Sequence, residues 1–435
     1  MSAPLRRQGV AAGILTVAVG LSVRFPITSV SPLLGDIGAA YALSHTAISV
    51  LSAIPVLLFG LASPLAPWLV GRFGLPRALA LLLAALALAT LLRPLAPGAL
   101  FAGTVLVGAA IALLGILAPQ IIRLALAHRG GFWTGVYTTS FGVSAAAGAA
   151  LSVPLLTVFG GRVAPSLAVW AVPLLAALAL ALAFGGRLDD GRVDDTGDTP
   201  IDEERVDDEP TADEHVDEER AGEGNDGGHA ATPARPATPA RRRGSILRAR
   251  GLWSVTGFFG CQALLYFSLT AWLPTIAEGR GADPAHAGLL LAWMSVAGLP
   301  ASLLAPSLAS RERRRAGLLI ASASLAVTGL LGLALAPVAL MPLAVAILGL
   351  GLSSAFGLAI ALIVFTAPSA ARTAAFSAVS QGVGYGAAAA GPLVPGLLVG
   401  AGVDWPIVLL LLAGVAVVEL AFGLSAVRAR AERAS

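Results

Sequence analysis

The chain contains no lysine, one cysteine and very little charge for its length. Charged side chains make up 12% of 435 residues, about half of the roughly 25% usual in soluble domains. That shortage excludes a water-soluble enzyme of two or three domains. The lone Cys261 sits inside an apolar run, so there is no disulfide framework. The five histidines show no metal-ligand spacing. The apolar runs hold no paired carboxylates and no Ser/His or Cys/His sets, so no catalytic residue, metal site or cofactor is expected and the chain is not expected to be an enzyme. All 28 basic residues are arginine, and they form no stripe interleaved with aromatics. The net charge of +3 therefore gives no reason to expect a nucleic-acid partner.

Apolar sequence dominates: 57% of residues are hydrophobic, the mean hydropathy is +0.83, and there are 50 Gly and 28 Pro. Crossing a bilayer takes about 20 largely apolar residues in a helix, which satisfies its own backbone. Twelve runs qualify: 9–34, 46–70, 77–96, 99–125, 133–158 and 164–185, then 252–275, 285–309, 316–336, 340–366, 373–399 and 405–427. Arg6 and Arg7 precede an apolar stretch as in a signal peptide. The stretch continues to Leu34 without a small-residue cleavage site, so an uncleaved first span is expected.

The charge that exists is concentrated. Residues 187–250 hold 18 acids and 10 arginines, leaving 7 acids and 18 arginines in the rest of the chain. Such a composition cannot bury a core, and the stretch reads as a disordered acidic cytoplasmic linker between residues 1–186 and 251–435. With the N-terminus inside, fourteen of the other arginines fall on the cytoplasmic face, among them Arg72, Arg77, Arg315 and Arg428. Only Arg93, Arg162 and Arg280 fall on the opposite face. This asymmetry places both termini in the cytoplasm of a multi-pass protein of the cell (inner or plasma) membrane. The expected fold is all-α, with twelve transmembrane helices in two six-helix halves. Features recur at an offset near 240: Arg72 and Arg311, Pro67 and Pro306, His45 and His286, Gly108 and Gly349, and the small-residue runs 142–150 and 382–391. Parallel repeats of this kind build carriers whose site lies at the midplane between the halves.

Several stretches carry a family resemblance: VRFPITSVSPLL at 23–34, PLAPWLVGRFG at 64–74, TGVYT at 134–138, FFGCQ at 258–262 with AWLP at 271–274, and QGVGY at 381–385 leading to Gly391-Pro392. The chain resembles a major facilitator superfamily transporter, and within it the cyanate/nitroimidazole permease family, over everything but the acidic segment. It departs from that family's pattern at Ser22 and Gly115, and has Gly71 where the superfamily places an acid before Arg72. The resemblance implies the major facilitator fold, alternating access and a small, cyanate-like anionic solute.

Arg24 is the sharpest single residue. It lies only ~4 Å beyond the centre of the first run at about 1.5 Å per residue. An arginine there costs at least ~2.5 kcal/mol on insertion scales. A guanidinium can hold a planar anion by two parallel bonds; the other reading is a structural arginine capping the carbonyls of a broken neighbouring helix. The resemblance matches Arg24 to the family's characteristic first-span arginine. Pro26 and Pro32 are expected to bend this span. Gln262 and Tyr266 share a helix face by their spacing, as do Gln381 and Tyr385. Each pair is a candidate for substrate binding or for holding helices together. Tyr137 reads equally as substrate contact or gate. Arg72, Gly74 and Arg77 resemble the superfamily's gating loop in degenerate form, or act as positive-inside anchors. Glu419 is the only acid within a span outside the acidic stretch. It is a candidate for proton coupling, or a helix-end carboxylate paired with an arginine such as Arg428. Trp133 and Trp272 stand at span ends, where interfacial belts collect tryptophan. The expected partners are a small-molecule substrate and the lipid bilayer, with the chain acting as a monomer. Efflux of neutral or drug-like compounds, and a non-transporting sensor signalling through the acidic segment, are the competing functions.

Overall fold

The computed structural model describes residues 3–62, 64–126, 130–186, 246–367 and 373–434. Residues Met1–Gly191 and Ile246–Ser435 form one compact unit. The acidic segment, with Arg241 to Arg243, lies outside the described residues apart from its last few positions, where Ile246–Arg248 makes a single 3-10 turn.

Among the described residues, eleven helical stretches are long and apolar enough to cross a membrane, and His45–Leu61 is a shorter apolar helix. That shorter helix is the first part of the expected second span. The chain turns at Pro64 and continues as Leu65–Phe73, so one crossing is built of two pieces. Counting it gives twelve crossings in two sets of six. Gly74 links this piece to the third span, Leu75–Leu95, with φ of 76°, a left-handed backbone that suits a residue without a Cβ.

The first crossing, Gly9–Ala40, is the most irregular. Its opening helix Ala3–Ser22 stops short of Arg24, and Phe25–Thr28, Ser31–Leu33 and Leu34–Ala40 follow as separate turns. Pro26 and Pro32 supply no N–H, which breaks the helical ladder twice. In a bilayer the freed backbone groups need other partners, and neighbouring spans provide them. The N–H groups of Arg24 and Phe25 donate to Ser144 Oγ at 3.2 and 3.0 Å. Ser152 donates to the Ser29 carbonyl at 2.9 Å.

The expected duplication is visible in the packing. Ser152 of the fifth span bonds Ser29 of the first, and at the equivalent place Ser268 of the seventh span bonds Gly391 of the eleventh at 2.9 Å. Between halves, a methyl at Gly60 in the second span would lie 2.7 Å from the Gly382 carbonyl in the eleventh. Its counterpart at Gly142 in the fifth would lie 2.7 Å from the Leu299 side chain in the eighth. Toward the end of the bundle that carries Ala40 and His45 the halves are in direct contact. The Ser31 hydroxyl faces the carbonyls of Thr270 and Ala271 at 2.5 and 2.6 Å. Gly288 abuts Ala149 and Pro32, and Gly400 abuts His45.

Candidate functional site

The break in the first span delivers Arg24 to the centre of the bundle. The midpoint of Gly9–Ala40 falls at this residue, which is 6% exposed. Ser144 holds its backbone, and Phe25 stacks on Trp170 with ring centroids 5.0 Å apart. The guanidinium carbon lies 4.2 Å from the centroid of Phe141 and 5.2 Å from those of Tyr266 and Phe267. Its Nε and Nη1 are buried without an acceptor, so aromatic faces rather than carboxylates or carbonyls surround these donors. Cation–π contact contributes ~2 kcal/mol or more when desolvated, and leaves the in-plane N–H groups for a ligand.

Tyr385 completes the enclosure. Its ring packs 5.0 Å from Phe259, 5.6 Å from Phe59 and 6.3 Å from Phe267. Tyr137 lies 6.2 Å from Phe141 and rests beside Gly20. Both phenols are within the electrostatic reach of Arg24. Of the expected site residues, Arg24, Tyr137, Tyr266 and Tyr385 thus converge, joined by Phe59, Phe141 and Phe267. This is a cationic cage with walls from both halves.

The two glutamines behave differently from their tyrosine partners. Gln262 is 1% exposed and donates to the Leu352 carbonyl of the tenth span at 3.2 Å. It ties two helices together, although its Oε1 remains unpartnered. Gln381 donates to Ser377, one turn earlier on its own helix, at 2.6 Å. Arg72 and Arg77 are exposed, on either side of the Gly74 turn; Arg72 covers the neighbouring Phe73 ring at 5.8 Å. Glu419 is 2% exposed, with an Oε1 that has no partner. It lies within electrostatic reach of Cys261. It makes no ion pair with Arg428 among the described residues: the helix continues to Ala434 and Arg428 is exposed. Trp272 also departs from expectation. It is 5% exposed and donates to the Pro392 carbonyl at 2.8 Å, within the protein rather than in an interfacial belt.

Three arginines assigned to loops by the sequence prove to be turned inward. Arg280 caps the carbonyls of Leu333 and Ala336 at the end of the ninth span. Arg315 donates to Ala309 at 2.9 Å and pairs with Glu312 at 3.2 Å. Arg93 is 2% exposed and donates to the Pro26 carbonyl at 3.0 Å, while its Nε and Nη2 find no acceptor. Its nearness to a span end made it look like a loop residue; the following Pro94 was the only local sign of a turn that aims it inward.

Comparison with known proteins agrees with this architecture. The family model described as the Major Facilitator Superfamily matches residues 12–281 and 260–435. The chain is 34% identical to the uncharacterized transporter YycB of Bacillus subtilis (strain 168) over 405 residues, 92% of this chain and 89% of that protein. It is 31% identical to the 2-nitroimidazole transporter of Escherichia coli (strain K12) over 420 residues, covering 96% and 95%. Identity to the cyanate transport protein CynX of the same organism is 26% over 415 residues, covering 94% and 96%. Among solved structures, the nucleoside transporter NupG (D323A mutant) superposes with a TM-score of 0.67 at 14% identity, covering 95% and 99% of the two chains. A bacterial homolog of the human lysosomal transporter Spinster, inward-facing and occupied, superposes with a TM-score of 0.65 at 14% identity, covering 99% and 96%. At such identities the structures speak for the fold alone. The twelve-span duplicated bundle, the family match and the full-length transporter relatives together make this chain a membrane transporter that belongs to the major facilitator superfamily and resembles its cyanate and nitroimidazole permeases.

Proposed function

We propose that the protein is an alternating-access carrier for a small anion of the cyanate type, with Arg24 as the counter-charge. The observation that carries this reading is the buried guanidinium at mid-span with unpartnered N–H groups in an aromatic cage. A linear or planar anion supplies the missing acceptors, and Tyr266 and Phe141 exclude water around it. The cage takes residues from both halves, so rocking of one half against the other exposes it to either side in turn. The named solute of the CynX relative is consistent with this chemistry. The working protein is a monomer in the cell membrane with both termini cytoplasmic. The test is uptake of labelled cyanate into proteoliposomes: wild type accumulates label, and Arg24→Gln loses at least ~100-fold in kcat/KM, in line with the 2–5 kcal/mol cost of removing one partner of a buried charge pair. Unchanged uptake by Arg24→Gln removes Arg24 from its role as counter-charge.

Glu419 is assigned to proton coupling, because an unpartnered carboxyl inside a span is a functional candidate. Glu419→Gln is expected to retain anion exchange while losing accumulation driven by a pH gradient; accumulation equal to wild type refutes that role. The aromatic lining supports a second reading, a planar nitroaromatic solute like the one named for the 31% identical relative. For such a solute Tyr266→Leu impairs transport more than Arg24→Gln does.

A further inference from the structure

Arg93 ends the third span, at the same end of the bundle as Ala40 and His45. Its side chain turns into the protein and donates through Nη1 to the Pro26 carbonyl. That single bond accounts for one nitrogen of three. Nε and Nη2, which share the guanidinium edge suited to two parallel bonds, are buried with no acceptor. An arginine is a costly way to hold one carbonyl, since a neutral amide does so without burying charge. No acid among the described residues pairs with it. Gly103 packs directly against Arg93, where an added Cβ would clash with the Arg93 Cβ and lie 3.0 Å from its Cα.

Arg93 also borders a cavity of about 40 Å³, with Ser52, Thr104, Thr270 and Phe267 among its lining residues. A buried water needs ~10–15 Å³, so the cavity has room for about three water-sized groups, the size of a triatomic anion. The hydroxyls of Ser52, Thr104 and Thr270 each donate to a carbonyl of their own helix and can rotate toward a bound anion. Phe267 is common to both places. It lines this cavity and also stands 5.2 Å from the Arg24 guanidinium.

We infer that Arg93 forms a second site for a small linear or planar anion, beyond Phe267 from Arg24 and toward the Ala40 end of the bundle. The inference rests on the reading of the protein as an anion carrier. It makes solute passage a transfer between two buried guanidinium groups across one aromatic ring. The Nε/Nη2 edge takes the anion while Nη1 keeps the Pro26 carbonyl, so occupancy requires no rearrangement of the break in the first span.

The experiment is equilibrium binding of labelled cyanate to the purified full-length protein, with uptake measured in parallel. Arg24→Gln is expected to retain weak binding, and Arg24→Gln/Arg93→Gln to lose it by at least tenfold. Arg93→Gln alone raises the uptake KM at least tenfold with maximal rate within about threefold. Arg93→Lys, which restores the cation, recovers most of the KM. If Arg93→Gln does not fold, the comparison is Arg93→Lys with Thr104→Val, and the inference requires Thr104→Val to raise the KM at least threefold while Arg93→Lys stays near wild type. Equal residual binding in the single Arg24 and double variants overturns the second site. So does an Arg93→Gln KM within twofold of wild type, or Arg93→Lys losing as much as Arg93→Gln. Wild-type uptake by Arg24→Gln is a separate failure, of the central site alone.

Discussion

The first and seventh spans occupy equivalent places in the two halves, yet one is broken with an arginine at its centre while the other is continuous and uncharged through its middle. Gly9–Ala40 is interrupted around Arg24 and needs Ser144, Ser152 and Arg93 to satisfy its freed backbone. Leu252–Gly279 runs as one helix through Pro274, and turns Tyr266 and Phe267 toward the arginine opposite. One half thus supplies the charge and the other much of the aromatic wall. The two halves share a scaffold but contribute unlike side chains to the cage.

The harshest way to break that division is to remove the charge. Arg24→Gln should lose at least ~100-fold in kcat/KM for cyanate, equivalent to ~2.7 kcal/mol, whereas Arg24→Lys keeps a cation without the planar fork and should recover part of the loss. Labelled uptake in proteoliposomes measures both. Next in size is the support of the break. Ser144→Ala leaves two buried backbone N–H groups without an acceptor, which costs about 1–3 kcal/mol. At the equivalent contact between the seventh and eleventh spans, Ser268→Ala removes a donor to carbonyls that include one already in a helical ladder, and should cost only ~1 kcal/mol. Thermal unfolding of the two variants should therefore separate them, with the Ser144 variant melting first. A smaller effect is expected from the aromatic wall. Tyr266→Leu removes one of three cation–π faces, worth about 0.5–2 kcal/mol, and should raise the cyanate KM by ~2–30-fold.

The sequence reveals this comparison unevenly. Span number and order follow from hydropathy, because lipid demands long apolar helices whatever their packing. Arg24 stands out because charge is so rare around it. What the sequence could not tell is which neighbour a side chain meets. The four-residue spacing of Gln262 and Tyr266 put them on one side of a helix. That side is broad enough for Gln262 to reach Leu352 while Tyr266 reaches Arg24. Arg93 resembles a loop residue because three residues from a span end is within reach of the headgroups, and only the turn after Leu92 sends it inward. The pairing of Glu419 with Arg428 fails for a geometric reason. Nine residues along one continuous helix is about two and a half turns, which places the two side chains on opposite faces; the expected helix end near 427 concealed this.

The last comparison is between the two symmetry-related contacts that join the halves. At Gly60 an added methyl meets backbone, the Gly382 carbonyl at 2.7 Å and the Gly386 nitrogen at 3.3 Å. At Gly142 the same methyl meets the tip of Leu299, a side chain that can change rotamer. Backbone cannot yield without moving a whole span, so Gly60→Ala should disfavour this arrangement of the halves by about 1 kcal/mol, the lower end of overpacking costs, and Gly142→Ala by much less. A 1 kcal/mol bias changes the ratio of two conformers about fivefold. Distances between spin labels on the second and eleventh spans would therefore shift toward the alternate state in Gly60→Ala and stay near wild type in Gly142→Ala. Equal shifts in the two variants would mean that the second–eleventh contact loosens as readily as its fifth–eighth counterpart. The duplicated halves would then be mechanically equivalent even though their chemistry is not.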